Sequence, residues 1–322
     1  MKMKWRILIA LLMIALGVAV SANADGTAAT METPLPETYT RGDYSFQLFK
    51  DGSAVITDYS GKDKELTIPS ELDGHPVKVI GSSAFSGCGS LISVMIPDSV
   101  TDIGESAFSS CVSLTAVTIP DSVTSIGKRA FCMCKKLASV NIPDSVTVIG
   151  DYAFDGCDSL TSVSIPNSLT ATGKGAFYGC GSLTSVTIPS SVTTISEEMF
   201  FGCESLTSIM IPDSVTIIDN SAFCYSGLTS VTIPDGVISI GDGAFSCCPA
   251  LATVTIPDSV TTIAEGAFCW CGSLTSVTIY GNVKEIGEGA FEGCENLTVA
   301  VKAGSYAERY CRDNHLTYTV LK

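Results

Sequence analysis

Residues 119–142 read IPDSVTSIGKRAFCMCKKLASVNI, and this stretch decides the architecture because it recurs along most of the chain. Ile-Pro stands at 96, 119, 142, 165, 188 and 211, then at 233 and 256, with Ile279-Tyr280 closing the series. The period is 23 residues except for a 22-residue step from 211 to 233 and a first step, from Ile68 to Ile96, of 28. The extra length in that first step is the loop from Glu71 to Pro76. A fixed period of about 20–30 residues is the signature of stacked coils, because one such unit cannot bury its own apolar face and its neighbours must.

Within the unit, Leu137, Val140 and Ile142 alternate onto one face as a short strand does. The Pro that follows has no N–H and ends the ladder, and Asp-Ser after it suits a tight turn whose side-chain oxygens reach the backbone two residues on. Val123, Ile126, Ala130 and Phe131 then return the chain, on this reading through a short helical turn on the convex side. Ala-Phe recurs at 84, 107, 130, 153, 176, 222, 244, 267 and 290, with Met199-Phe200 in the remaining unit. The Phe column predicts a continuous spine. The fold class is therefore an α/β repeat, a leucine-rich-repeat solenoid with a parallel sheet on the concave side and short helical turns on the convex side. Ten coils at ~4.8 Å give a core roughly 45–50 Å long.

The organisation outward from residues 68–302, the ten-repeat solenoid, follows from local signals. Residues 42–67 form a β-hairpin cap, because Tyr44–Lys50 and Ala54–Tyr59 alternate around Asp51-Gly52. Residues 303–322 form the other cap, with Ser305-x-x-Glu308 a capping box, a short helix through Arg312, and Asn314 as its left-handed stop. Residues 25–41, rich in Thr with two Pro, read as a flexible linker. In residues 1–24, Lys2, Lys4 and Arg6 precede the apolar run Ile7–Val20, and Ala22-Asn23-Ala24 supplies the small residues of a cleavage site. This is the pattern of a signal peptide, so no stable membrane insertion is expected after cleavage.

Composition removes several classes of function. A net charge of -15, with no basic stripe to offset it, argues against nucleic acid. The only histidines are His75 and His315, no Gly-rich phosphate loop follows a strand, and no nucleophile motif stands out. The expectation is a chain that is not an enzyme, carries no cofactor and is monomeric.

Three columns carry the remaining chemistry. Cys88, Cys111, Cys134, Cys157, Cys180, Cys203, Cys248, Cys271 and Cys294 fall three residues after the Phe, the place of a packed thiol in a tight bend. Off that ladder, Cys224, Cys247 and Cys269 occupy nearly matching positions in consecutive coils, which makes them candidates for a disulfide or reactive thiols. Zinc is disfavoured, because Cys132-x-Cys134 and Cys269-x-Cys271 have one intervening residue where structural sites use two to four. Asp98, Asp121, Asp144, Asp213, Asp235 and Asp258 form a second column, read as turn caps, with calcium the alternative. The third column is the outward side of the sheet. Ser139 and Asn141, Ser162 and Ser164, Ser185 and Thr187, Ser208 and Met210, and Ser230 and Thr232 form a nearly uncharged hydroxyl lattice at the candidate binding face.

The pattern L-T-S-V-T-I-P-D-S-V-T-S-I-G-x-x-A-F-x-x-C, which runs over roughly residues 60–302, resembles the BspA-type (Treponema pallidum-type) leucine-rich repeat. Ala303-Gly304-Ser305-Tyr306-Ala307-Glu308 with Tyr310-Cys311 is similar to the usual ending of such arrays. The resemblance implies a secreted or cell-surface bacterial protein that adheres to a protein or glycan on host or neighbouring cells. The alternative is a structural spacer or display solenoid with no ligand of its own, which the near-identity of surface positions between repeats favours.

Overall fold

The computed structural model describes residues 20–22, 28–30, 33–169 and 172–321. From residue 65 onward the chain winds as a parallel β-solenoid, of about 12 turns in all. One wall is built by the Leu-x-x-Val-x-Ile segments. Glu65–Thr67, Ser93–Met95, Ala116–Thr118, Ser139–Val140, Ser162–Ser164 and Ser185–Thr187 form a six-stranded parallel sheet. Ser230–Thr232, Thr253–Ile256, Ser276–Ile279, Thr298–Lys302 and Thr317–Leu321 form a five-stranded one beyond it. Register advances by one repeat at each step, so that Ser93, Ala116, Ser139, Ser162 and Ser185 stand in line.

A second parallel sheet, which period-two reading does not reveal, is built by the Thr-x-Ile-Gly segments. Asp102–Ile103, Ser125–Ile126 and Val148–Ile149 continue it from His75–Ile80, and Thr194–Ile195 through Glu285–Ile286 repeat it in the later coils. Each such strand has two residues, too few to show an alternation. Ile126 and its equivalents therefore belong to a wall of their own and not to the return.

The return itself is not helical, which corrects the expectation of helical turns. Each coil holds two left-handed residues, two positions before and two after the Phe, as at Arg129 (φ 55) and Met133 (φ 59). A left-handed residue every fourth position breaks any right-handed helix. In its place the backbone ladders between coils: Arg129, Phe131 and Met133 N–H donate to the carbonyls of Asp151, Ala153 and Asp155 at 2.9, 2.8 and 2.7 Å. The residues between them close three-residue turns inside the coil, as when Cys134 N–H donates to Phe131 O at 3.2 Å. Among the described residues the only α-helix is Tyr306–Asp313 (α1) in the C-terminal cap.

The ten Phe rings stack inside these walls with centroids 5.0–6.0 Å apart and planes within 17°. That spacing is wider than the backbone repeat, as offset stacking requires. Both ends of the spine are closed by tyrosine, whose polar tip suits the edge of a core. Tyr59 lies 5.1 Å from Phe85, and Tyr310 meets Phe291 edge-on at 6.4 Å while its hydroxyl donates to Gly287 O.

Two departures from the repeat are accommodated locally. The 22-residue step has lost a residue between Phe223 and Leu228, so Ser226 takes the Cys position and Gly227 is drawn against the preceding coil. A Cβ on Gly227 would sit 2.0 Å from Glu204 O, which leaves only glycine. The rung just before, residues 207–211, is the one at which the main sheet is interrupted. In the other departure Thr172 replaces the usual buried Ile and Met199 the usual Ala of the next coil. The larger Met fills the space the smaller Thr vacates, and Thr172 Oγ1 donates to its sulfur at 3.4 Å.

The N-terminal cap has more strands than the sequence indicates. Tyr44–Leu48 and Ala54–Tyr59 pair antiparallel across the Asp51-Gly52 turn, and Ala54–Tyr59 then joins His75–Ile80 in parallel. Thr38–Arg41, assigned to the flexible linker by composition, pairs antiparallel with Tyr44–Gln47. Ala28–Thr30, from the same segment, pairs with Val20–Ala22. The rest of residues 1–24, on which the signal-peptide reading falls, lies outside the described residues. His75 Nδ1 holds the hairpin to the first coil through Gly52 O at 2.8 Å. At the other end Ser305 caps α1 by accepting from Glu308 N–H. The left-handed stop is His315 (φ 58) and not Asn314, whose φ is -101.

Candidate functional site

The outward positions of the main sheet come together as expected. Ser139, Asn141, Ser162, Ser164, Ser185, Thr187, Ser208, Met210, Ser230 and Thr232 are all exposed, on consecutive rungs. Ser162 pairs in register with Ser185, and Ser164 with Thr187. Met210, on the interrupted rung, is 84% exposed, the most accessible large apolar side chain of the face.

What distinguishes this lattice is which hydroxyls are left free. The Thr one position before it is committed to the fold: Thr115, Thr161, Thr184, Thr229 and Thr275 donate to a carbonyl of the preceding coil at 3.0–3.4 Å. So is the turn Ser, since Ser122, Ser145, Ser168, Ser191 and Ser214 donate to the preceding coil at 2.6–2.7 Å. Among the described residues, none of the lattice hydroxyls has a protein partner. They stand as unspent donors and acceptors at the coil repeat.

The Asp column does not cap its own turn. Val123 N–H closes the turn on Pro120 O at 3.1 Å, the Ser staples it to the preceding coil, and the six Asp are exposed. Only Asp258 among them accepts a bond, from Gly281 N–H of the following coil at 3.1 Å. The turn-capping expectation is therefore corrected: the short Ser hydroxyl reaches a neighbouring carbonyl that the outward carboxylate does not. No cluster of metal-ligating side chains occurs among the described residues.

The ladder cysteines are packed thiols. Each from Cys111 onward donates its S–H to the Phe carbonyl of the previous coil, at 3.0–3.4 Å. Burial pushes the Cys203 thiol up to about 12, and Cys157 and Cys180 are raised for the same reason. Cys224, Cys247 and Cys269 are arranged differently from that ladder and from each other. Cys224 and Cys269 flank Ser246 in one column, directly after the Phe, while Cys247 stands in the next column between Tyr225 and Trp270. The Ser246 hydroxyl lies 3.0 Å from Cys269 Sγ and 3.4 Å from Cys247 Sγ. Burial pushes Cys224 up to about 12, whereas Cys247 and Cys269 are only part-buried.

Sequence reasoning missed an aromatic row on the outer wall. Tyr178 stacks on Phe201 at 4.5 Å, and Tyr152 and Tyr225 extend the row at 6.1 and 5.5 Å. Tyr152 hydroxyl donates to Glu198, which with Glu197 holds Lys174. The signal was present, because Tyr178 and Phe201 both directly follow a spine Phe. Their neighbours in other coils are Ser, Cys, Asp and Glu, so no column stands out.

The two β-walls, the Phe spine and the free hydroxyl face define a leucine-rich-repeat solenoid, a class that is generally non-catalytic. The chain belongs to the BspA-type leucine-rich repeat family, whose model matches residues 78–207 and 193–308 in six copies. It is similar to a leucine-rich cell surface protein of Faecalibacterium prausnitzii A2-165, with 32% identity, 89% of this chain and 96% of that one covered, and a TM-score of 0.56. A leucine-rich repeat protein of Bacteroides ovatus matches at 23% identity, 88% and 100% coverage and a TM-score of 0.55. The pneumococcal vaccine antigen PcpA matches at 18% identity, 84% and 82% coverage and a TM-score of 0.50, a likeness of fold. No curated protein matches the chain.

Proposed function

We propose that this protein is an exported, cell-surface or secreted binding protein that engages a protein or glycan of host or neighbouring cells through the outward face of its main sheet. The observation that carries this reading is the free hydroxyl lattice, left without protein partners while the adjacent Thr and turn Ser are bound. An uncharged row of donors and acceptors repeating at ~4.8 Å suits an extended, polar ligand. The likeness to a cell surface protein supports the location. With no Arg or aromatic on the lattice, affinity comes from many weak contacts and not from one anchor.

The test is a glycan and matrix-protein array probed with the chain at physiological salt. Saturable binding that falls when Ser162 and Ser185 are changed to Lys supports the proposal. Absence of binding above background overturns it.

A further inference from the structure

Cys247 and Cys269 stand outside everything the binding face uses. Cys247 N–H donates to Cys269 O at 2.8 Å, so the two residues lie on adjoining coils a single hydrogen bond apart. Adjoining coils stand ~4.8 Å apart, a spacing at which a disulfide, with its ~4.4–6.8 Å Cα window, can join one coil to the next. Their sulfurs converge on one oxygen, Ser246 Oγ, at 3.4 and 3.0 Å. Neither thiol is engaged with a spine carbonyl as the ladder thiols are, and both reach the surface.

Cys247 holds φ 54 in a column where Gly87, Gly156, Gly179, Gly202 and Gly293 occupy half of the ten coils, and a side chain there carries strain that glycine avoids, as at Ser110 and Met133. Tyr225 (φ 57) and Trp270 (φ 59), on either side of Cys247, do the same and are 53% and 61% exposed.

We propose that Cys247 and Cys269 form a thiol–disulfide exchange pair on the outer wall, with low-molecular-weight disulfides as substrate and a disulfide between the eighth and ninth coils as product. Ser246 Oγ donates to the Cys247 sulfur and lies 3.0 Å from Cys269 Sγ, so one hydroxyl bridges the attacking and the resolving sulfur. The Cys247 thiolate attacks one sulfur of R–S–S–R, that S–S bond breaks, and the first R–S⁻ leaves and takes a proton from water. Cys269 then loses its proton to water by way of Ser246, and its thiolate attacks Cys247 Sγ in the mixed disulfide. The second R–S⁻ departs and is protonated. Two protein thiols are oxidised and one disulfide is reduced to two thiols, so electrons balance without a further oxidant. Cys224 is excluded: it lies two coils from Cys269, and burial holds its thiol at about 12.

The experiment treats the reduced full-length chain, without denaturant, with 5,5′-dithiobis(2-nitrobenzoate), and follows it by aryl-thiol release, intact mass and peptide mapping. The expected first phase releases two aryl thiols per chain, leaves no aryl adduct, lowers the mass by two hydrogens and links Cys247 to Cys269. In Cys269→Ser a single aryl adduct stays on Cys247. Stable adducts on both thiols with no link overturn the proposal, as does a link from Cys247 to Cys224 or a first reaction at another cysteine such as Cys88. Mapping of the unaltered chain decides the matter whether or not the variant folds.

Discussion

The inward columns and the outward lattice repeat with one period, yet they are held by different means. Phe154 and Cys157 have no exposed surface; Phe154 is stacked on both sides by a Phe one coil away, and Cys157 donates its S–H to Phe131 O of the coil before. Ser162 and Ser185 are paired only through their backbones and present free side chains to solvent. Interior identity is thus imposed by stacking, whereas the lattice has no structural need for hydroxyls at all. A surface kept polar, uncharged and regular without an internal reason is where a ligand is to be sought.

The sharpest way to break this contrast is Phe154→Ala. Removing a fully buried ring from the middle of the spine should cost roughly 3–5 kcal/mol, measured by denaturant unfolding. A cost below 1 kcal/mol would mean that the spine does not hold the coils together. Alkaline titration should act next most strongly, and on the interior alone. Because burial raises the thiols of Cys157, Cys180 and Cys203, the last to about 12 from an ordinary 9, the neutral thiol is favoured by folding at these positions. That contribution is fully present below about pH 9 and is lost as pH rises from about 9 toward 12, since the unfolded chain ionises first. Thermal midpoints recorded from pH 8 to 11 should fall above pH 9, and Cys203→Ala should flatten the fall.

Gly227→Ala should cost about 1–3 kcal/mol, as overpacking does, because its Cβ would meet Glu204 O at 2.0 Å. Inserting one residue after Ser226, which restores the 23-residue period, should relieve that cost. If alanine is tolerated without the insertion, the deletion is not what presses Gly227 against its neighbour. The smallest effect is expected on the lattice. Ser162→Ala with Ser185→Ala should change stability by less than about 0.5 kcal/mol while weakening binding on the array. A large loss of stability would show that these hydroxyls serve the fold after all.

Legibility in the sequence followed the same division. The spine, the Cys ladder and the strand face could be read from residues 119–142 because each occupies one column of a repeat, and a buried column tolerates little variation. The second sheet was hidden because two residues such as Ser125 and Ile126 are too few to show alternation. The turns of the return wall were hidden because Arg129, Tyr152 and Glu198 adopt a left-handed backbone that glycine takes in other coils, and no residue type announces it. Asp-Ser looked like a self-contained turn cap because sequence spacing shows only local partners. The Ser hydroxyl in fact bonds 22 residues back, to the coil before.

By itself the sequence determined that this protein is a stack of coils, how many phenylalanines line its core and which face of the main strands is outward, because period and alternation are properties of a single chain. Only the tertiary structure decided which hydroxyls are free and which are bound, that the return wall is laddered turns and not helix, and that Cys247 and Cys269 meet at Ser246 while Cys224, on its other side, is buried. Those outcomes depend on which atoms of one coil lie against the next, and that contact exists only once the coils are stacked.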